Sequence, residues 1–89
     1  MDKQYFFDVV INEEKLSSGE PVFVAHCTSL GIASQGSNIT EALVNIKEAV
    51  SLYLEEMPEK LEEFGTIEKP PTFSFIEVRK DAKATRVIG

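Results

Sequence analysis

The sequence predicts an α+β fold: a three-stranded antiparallel meander, one long helix, and a fourth strand. Two observations carry this prediction. Apolar and polar side chains alternate in several short runs that are separated by turn-forming residues, and a later stretch repeats apolar side chains every three or four positions. The resulting order, β-β-β-α-β, indicates that the last strand returns to the sheet by a right-handed helical crossover if it pairs in parallel beside the first strand.

Turn chemistry separates the predicted strands. They are expected at residues 4–12, 22–27, 32–35 and 72–78, with a polar loop at 13–21, a short turn at 28–31 and an extended proline stop at 69–71. In the first strand, the side chains expected to meet the helix are Tyr5, Phe7, Val9 and Ile11.

One long amphipathic helix follows the third strand. Asn38 is a good N-cap because its side-chain oxygen can accept from a free N–H of the first turn, and Glu41 can reach back to complete a capping box. Gly36 allows a sharp turn before the helix, Pro58 ends it, and a last turn stops at Gly65, where we expect a left-handed cap. The predicted buried stripe consists of Ile39, Leu43, Ile46, Val50, Tyr53, Leu54 and Met57.

Length and charge describe an acidic domain with a short basic tail. The chain has 89 residues, which we divide into one domain at residues 1–78 and a tail at residues 79–89. The domain carries five basic and fourteen acidic side chains, whereas the tail carries four basic and one acidic. Such a charge either favours a basic protein partner over nucleic acid or serves only to keep the protein soluble. We expect a cytoplasmic protein without a membrane segment, since no signal peptide or long apolar run is visible.

A longer set of motifs resembles a known family. The motifs occur in this order: an aromatic first strand, a second strand that ends in VAHCTSLG, an SQG turn, a helix that contains EAL, and a proline pair before the last strand. The central part of this set is the run LGIASQGSNITEALVNIKEAVSLYLEE. This ordered set is similar to the HicB-like family, the antitoxin components of HicA/HicB toxin–antitoxin systems and their stand-alone relatives.

The resemblance implies a partial ribonuclease H-like fold without catalysis. Such a domain binds and covers a small basic HicA-type toxin, an RNA-cleaving protein that depends on a histidine. Family members commonly continue into a helix-turn-helix or ribbon-helix-helix domain, whereas eleven residues follow Val78, so DNA binding is not expected. The HCTSLG run stands where many members have a PDLPGC-type turn, and it resembles the short, stand-alone branch.

Two functions from different classes follow. The leading one is an antitoxin-like protein that neutralises a small HicA-type toxin. The alternative is a stand-alone oligomeric module that binds a small ligand or a regulatory protein and has no toxin partner.

The predicted partner-binding residues are Ser34, Gln35, Gly36 and His26. The SQG turn is either a strand end that serves the helix N-terminus or a polar ridge that touches a partner. His26 is the only histidine, and strand neighbours point to opposite faces, which argues against a pair with Cys27.

A homo-oligomer, a dimer or larger, is also expected. The side of the first strand that faces away from the helix carries Phe6 and Val10 around Asp8, and Ile76 is expected nearby. Half-apolar faces of this kind are often interfaces, and an open strand edge is the other candidate.

A metal-dependent nuclease is the third alternative. It would need several carboxylates converging on two metal ions about 4 Å apart. The available set is Asp8, Glu41 or Glu48, and Glu77. The capping box explains Glu41 and solvation explains Glu48, so we expect no catalytic residue, metal or cofactor.

The basic tail has two interpretations. It is either a solvated chain end or a weak, salt-sensitive contact with nucleic acid or a protein partner. The residues that would make that contact are Arg79, Lys80, Lys83 and Arg86.

Overall fold

The computed structural model describes residues 3–80 and has the predicted α+β class. Its elements are β1 (Val10–Lys15), β2 (Pro21–Cys27), β3 (Ile32–Gly36), α1 (Ile39–Glu56) and α2 (Glu59–Phe64). The strands form one antiparallel sheet in the order β1-β2-β3. The second and third strands and the long helix are therefore confirmed to within one or two residues.

The first strand is shifted from its predicted position. It was expected at residues 4–12 but begins at Val10 and runs to Lys15, because Val10 pairs with His26 and the partner strand ends one residue later at Cys27. Residues 5–9 have no neighbour in the sheet. The polar residues predicted to be a loop pair instead across the hairpin, where Glu14 lies opposite Val22. Backbone pairing thus overrides the loop-like composition, and the loop shrinks to residues 16–20.

Local contacts begin α1 as the sequence predicts. The N–H of Glu41 donates to Oδ1 of Asn38 at 2.8 Å, which is an N-cap hydrogen bond. The Glu41 carboxylate reaches one residue further back than expected and accepts from the Ser37 N–H at 2.9 Å. The first bond satisfies an N–H that a helix start leaves free, and the second ties the residue before the cap to the first turn.

The core lies between α1 and the sheet and is built from small residues. Its buried members are Ala25 and Cys27 of β2 and Ala42, Ile46 and Val50 of α1. The predicted stripe is only partly buried, since Ile39 and Leu43 are about half exposed. The helix therefore buries a narrow line of residues spaced four apart, and part of its apolar side stays open.

Gly36 also has a packing role that the sequence did not predict. Its φ is not positive, but a Cβ on it would lie 2.5 Å from the backbone nitrogen of Ala42 and 2.8 Å from the carbonyl carbon of Glu41. The glycine is needed because the first turn of the helix rests directly on the end of β3.

The end of the helical region corrects another expectation. Pro58 ends α1 as predicted and starts the short α2. Gly65, expected to be left-handed, has φ −79° and ψ 153°. A Cβ there would lie 2.6 Å from the Leu61 carbonyl oxygen and 3.0 Å from the Phe7 ring, so close packing explains this glycine as well.

The fourth strand is not formed in the single chain. Residues 72–78 have no regular secondary structure and no strand partner and are exposed, so the sheet within residues 3–80 has three strands and not the predicted four. Just before them, Phe6 and Thr66 form an isolated antiparallel bridge with N–H···O distances of 2.7 and 3.1 Å. Because this bridge is antiparallel, the residues that follow Thr66 run towards Lys3 and away from β1.

The first prediction concerns the helix cap. Asn38→Ala should lower the free energy of unfolding by about 1 kcal/mol, because the N–H of Glu41 loses its acceptor. Urea unfolding followed by circular dichroism measures the change. Asn38→Asp keeps an acceptor and should unfold close to the wild-type midpoint; equal midpoints for all three proteins would contradict the capping role.

The second prediction concerns Gly36. Gly36→Ala should lower the free energy of unfolding by about 1–3 kcal/mol, because the added methyl group collides with the backbone of α1. The matched control is Gln35→Ala on the same strand. Because the Gln35 side chain is exposed, this variant should have a free energy of unfolding within about 0.5 kcal/mol of the wild type. Equal urea midpoints for the two variants would show that the close contact is not required.

Candidate protein-binding surface

Within residues 3–80, one face of the sheet is covered by neither helix. Residues directly opposite each other in the register share a face, and α1 packs on the side of Ala25 and Cys27. The opposite side, which we call the open face, carries Val10, Asn12 and Glu14 of β1, Val22, Val24 and His26 of β2, and Ala33 and Gln35 of β3; of these, Val22 is buried. It has an apolar centre with polar side chains beside it, an arrangement common in protein interfaces.

His26 belongs to the open face. It lies opposite Val10 on one side and Ala33 on the other and is half-buried by its neighbours. Cys27 points the other way into the core, is fully buried, and has Sγ 3.7 Å from Oγ of Ser29. The expected separation of the histidine and the thiol is therefore present.

The SQG turn is divided between the two faces. Gln35 is exposed on the open face opposite Val24, while its carbonyl oxygen accepts from Nδ2 of Asn45 at 2.8 Å and so holds α1 to β3. Ser34 and Gly36 lie on the helix side, and Gly36 is buried. Of the predicted partner-binding set, the structure thus brings together His26 and Gln35 only.

The predicted oligomer residues are spread over three parts of the chain. Val10 lies on the open face and is half exposed. Phe6 makes the bridge to Thr66, and Asp8 is exposed between these two positions. Ile76 lies in residues 72–78 and is 87% exposed, outside the three-stranded sheet.

Acidic side chains are almost entirely at the surface. Among residues 3–80 no charged side chain is buried, and the ion pair found is Lys60–Glu63, with 3.7 Å between Nζ and Oε2. The charge of the remaining carboxylates is therefore balanced by solvent ions and available to a basic partner.

The residues considered for metal chemistry are not gathered together. Within residues 3–80 no three His, Cys, Asp or Glu side chains form a group that could hold a metal ion. Glu41 is engaged with Ser37 at the helix start. Asp8, Glu48 and Glu77 are exposed on a connecting segment, on α1 and within residues 72–78.

The basic tail is described only at its start. Arg79 and Lys80 are exposed, while Lys83 and Arg86 lie outside the described residues.

Sequence reasoning did not select Val24, the apolar side chain between Asn12 and Gln35 at the centre of the open face. Alternation within the second strand already separates Val24 and His26 from Ala25 and Cys27. What alternation does not give is the register, which brings Val10 and Gln35 to the same face.

Neither helix in residues 3–80 is long and apolar enough to cross a membrane. Comparison of the chain with models of protein families, with curated proteins and with solved structures gives no match.

Proposed function

We propose that this chain is a non-enzymatic, antitoxin-like protein that binds a small basic RNA-cleaving toxin of the HicA type. The observation that carries the proposal is the open face, a sheet surface with Val24 at its centre and His26 and Gln35 beside it. A surface of this composition suits a protein partner better than a small ligand, because it extends over three strands and its residues line neither of the two cavities found within residues 3–80.

Charge supports a basic partner. Residues 1–78 carry fourteen acidic and five basic side chains, and one ion pair is formed within the described part of the domain. The uncompensated acidic field would speed the encounter with a basic toxin and add specificity against acidic proteins. The motif resemblance to HicB-like antitoxins supports the same partner class.

The proposal includes a cytoplasmic location and a fourth strand in the assembled form. The free, buried thiol of Cys27 suits a reducing compartment. A strand at residues 72–78 would complete the partial ribonuclease H-like sheet that the resemblance implies.

A second candidate is a stand-alone oligomeric binding module without a toxin. The observation that favours it is the exposure of four large apolar side chains in residues 72–78, which a single chain leaves in water. The two candidates differ in whether a stoichiometric small basic protein accompanies this chain.

The third prediction tests the antitoxin proposal. The tagged wild-type protein, purified from native cell extract, should recover a stoichiometric small basic protein that cleaves RNA once separated from it. The variant His26→Ala/Gln35→Ala should bind this protein about tenfold more weakly, because both side chains lie on the open face. Raising the salt concentration should lower the association rate.

The matched control is Thr40→Ala, an exposed change on α1. It should leave the affinity for the toxin unchanged. Recovery of the bait alone, as a stable oligomer, would reject the antitoxin proposal and favour the stand-alone module; equal affinity of all three proteins would reject the open face as the contact.

A further inference from the structure

Residues 72–78 form an apolar segment that projects from the domain. Phe73, Phe75, Ile76 and Val78 are 75%, 96%, 87% and 77% exposed. The radius of gyration of the Cα atoms is 17.5 Å, against about 12 Å for a compact chain of this length. A segment so rich in aromatic and β-branched residues has the composition of a buried strand, and it needs a partner.

A groove of matching character lies on the helix side of the domain. It has a volume of ≈ 600 Å³ and opens between residues 5–9 and α1. Tyr5, Phe7 and Val9 line one side, and Leu43, Val50 and Leu54 line the other. α1 packs mainly on β3 and β2, and Phe7 and Val9 reach the core but are only partly buried. Space therefore remains between residues 5–9 and α1.

The edge of β1 next to this region is free to accept a strand. The Leu16 N–H donates to the Glu20 carbonyl at 2.8 Å and continues the register in which Val10 lies opposite His26. Even-numbered residues of β1 therefore bond to β2, and Ile11 turns its backbone N–H and C=O to the outer edge. Within the described residues, β1 is an end strand of the sheet.

We propose that residues 72–78 of one copy form a strand along the outer edge of β1 and residues 5–9 of a second copy. Phe73 and Phe75 of the first copy then fill the groove of the second, and the reciprocal contact closes a two-fold dimer. Each groove is completed by the other chain. The dimer contact is separate from the surface proposed to bind the toxin, because it uses the helix side and the sheet edge and not the open face.

The path of the chain favours a second copy as the acceptor. After the Phe6–Thr66 bridge the chain runs towards Lys3, away from β1. Pro70 and Pro71 fix their own φ angles and hold the residue before them extended, so the chain cannot reverse tightly before residue 72. A segment of seven residues reaches about 23 Å, which is enough to extend to a neighbouring molecule.

Charge is complementary as well. Phe73, Phe75 and Glu77 alternate along the segment and share one face in a strand. The charged residues that line the groove are Lys3 and Lys47. When the two phenylalanines occupy the groove, the negatively charged Glu77 lies beside the positively charged Lys3 and Lys47 of the other copy.

The fourth prediction is the oligomeric state. The wild-type protein at micromolar concentration should have the mass of a dimer in analytical ultracentrifugation. Phe75→Ser should raise the dimer dissociation constant about tenfold or more, through the loss of a buried aromatic side chain. The monomer should stay folded by circular dichroism, because Phe75 is 96% exposed in the single chain.

Two further variants serve as controls. Ile76→Ser removes an apolar side chain from the other face of the segment and should change the dissociation constant less than Phe75→Ser. Lys47→Glu should weaken the dimer, and adding Glu77→Lys to it should restore the affinity. A monomeric wild type, or equal effects of Phe75→Ser and Ile76→Ser, would overturn the proposal.

Cross-linking identifies the acceptor. Mixing a Phe75→Cys protein with a Leu43→Cys protein under mild oxidation should give a disulfide-linked heterodimer, which only a contact between chains can form; Cys27 is buried and stays in place. The proposal would be overturned if no heterodimer formed, or if Phe75→Cys alone gave an equal yield of linked dimer. An intrachain disulfide in a protein that carries both Phe75→Cys and Leu43→Cys would also overturn it.

Discussion

The contact between Gly36 and the first turn of α1 is the constraint on which the structure depends. A Cβ at this position would lie 2.5 Å from the Ala42 nitrogen, so the helix can start against the end of β3 only if the residue there is glycine. One turn later, the side chain of Asn45 donates to the carbonyl oxygen of Gln35 at 2.8 Å and ties the same two elements again. These two contacts set the helix close above β3 and β2, and its position determines what else can be buried.

Because the helix lies close to the sheet, several of the buried side chains between them are small. Ala25, Cys27 and Ala42 fill the narrow space, and Ile46 and Val50 are the larger buried members of the core. Each large side chain that is fully buried contributes about 1.5–3 kcal/mol, but most of the large apolar side chains at this core, such as Phe7, Phe23 and Leu54, are only partly buried. The core therefore gives limited stability. Small domains already bury a small fraction of their surface. Apolar side chains on the helix and in residues 72–78 stay exposed. Burying them in contacts between molecules would therefore stabilise the domain further.

Local chemistry explains which elements the sequence could predict. The Asn38 cap and the break at Pro58 depend on residues within one turn, and the β2–β3 hairpin depends on a four-residue turn, so these features agree with the structure. The start of β1 depends on where its partner strand ends, and the strand proposed for residues 72–78 would depend on an acceptor that is not its neighbour in sequence. Alternation placed His26 away from Cys27, but only the register shows that Gln35 shares a face with His26 while Gly36 does not. Nonlocal pairing is thus the information that the sequence pattern lacks.

The two surfaces of the domain can act without interfering with each other. A strand added at the outer edge of β1 would extend the sheet sideways and cover the groove on the helix side, while His26 and Gln35 stay on the open face. In the dimer the open faces of both copies would be larger, because each sheet would gain a strand whose second face carries Ile76 and Val78. Assembly would then do more than stabilise a small core: it would add apolar area to the surface proposed to bind the toxin, so that the dimer, and not the single chain, is the form with the complete binding surface.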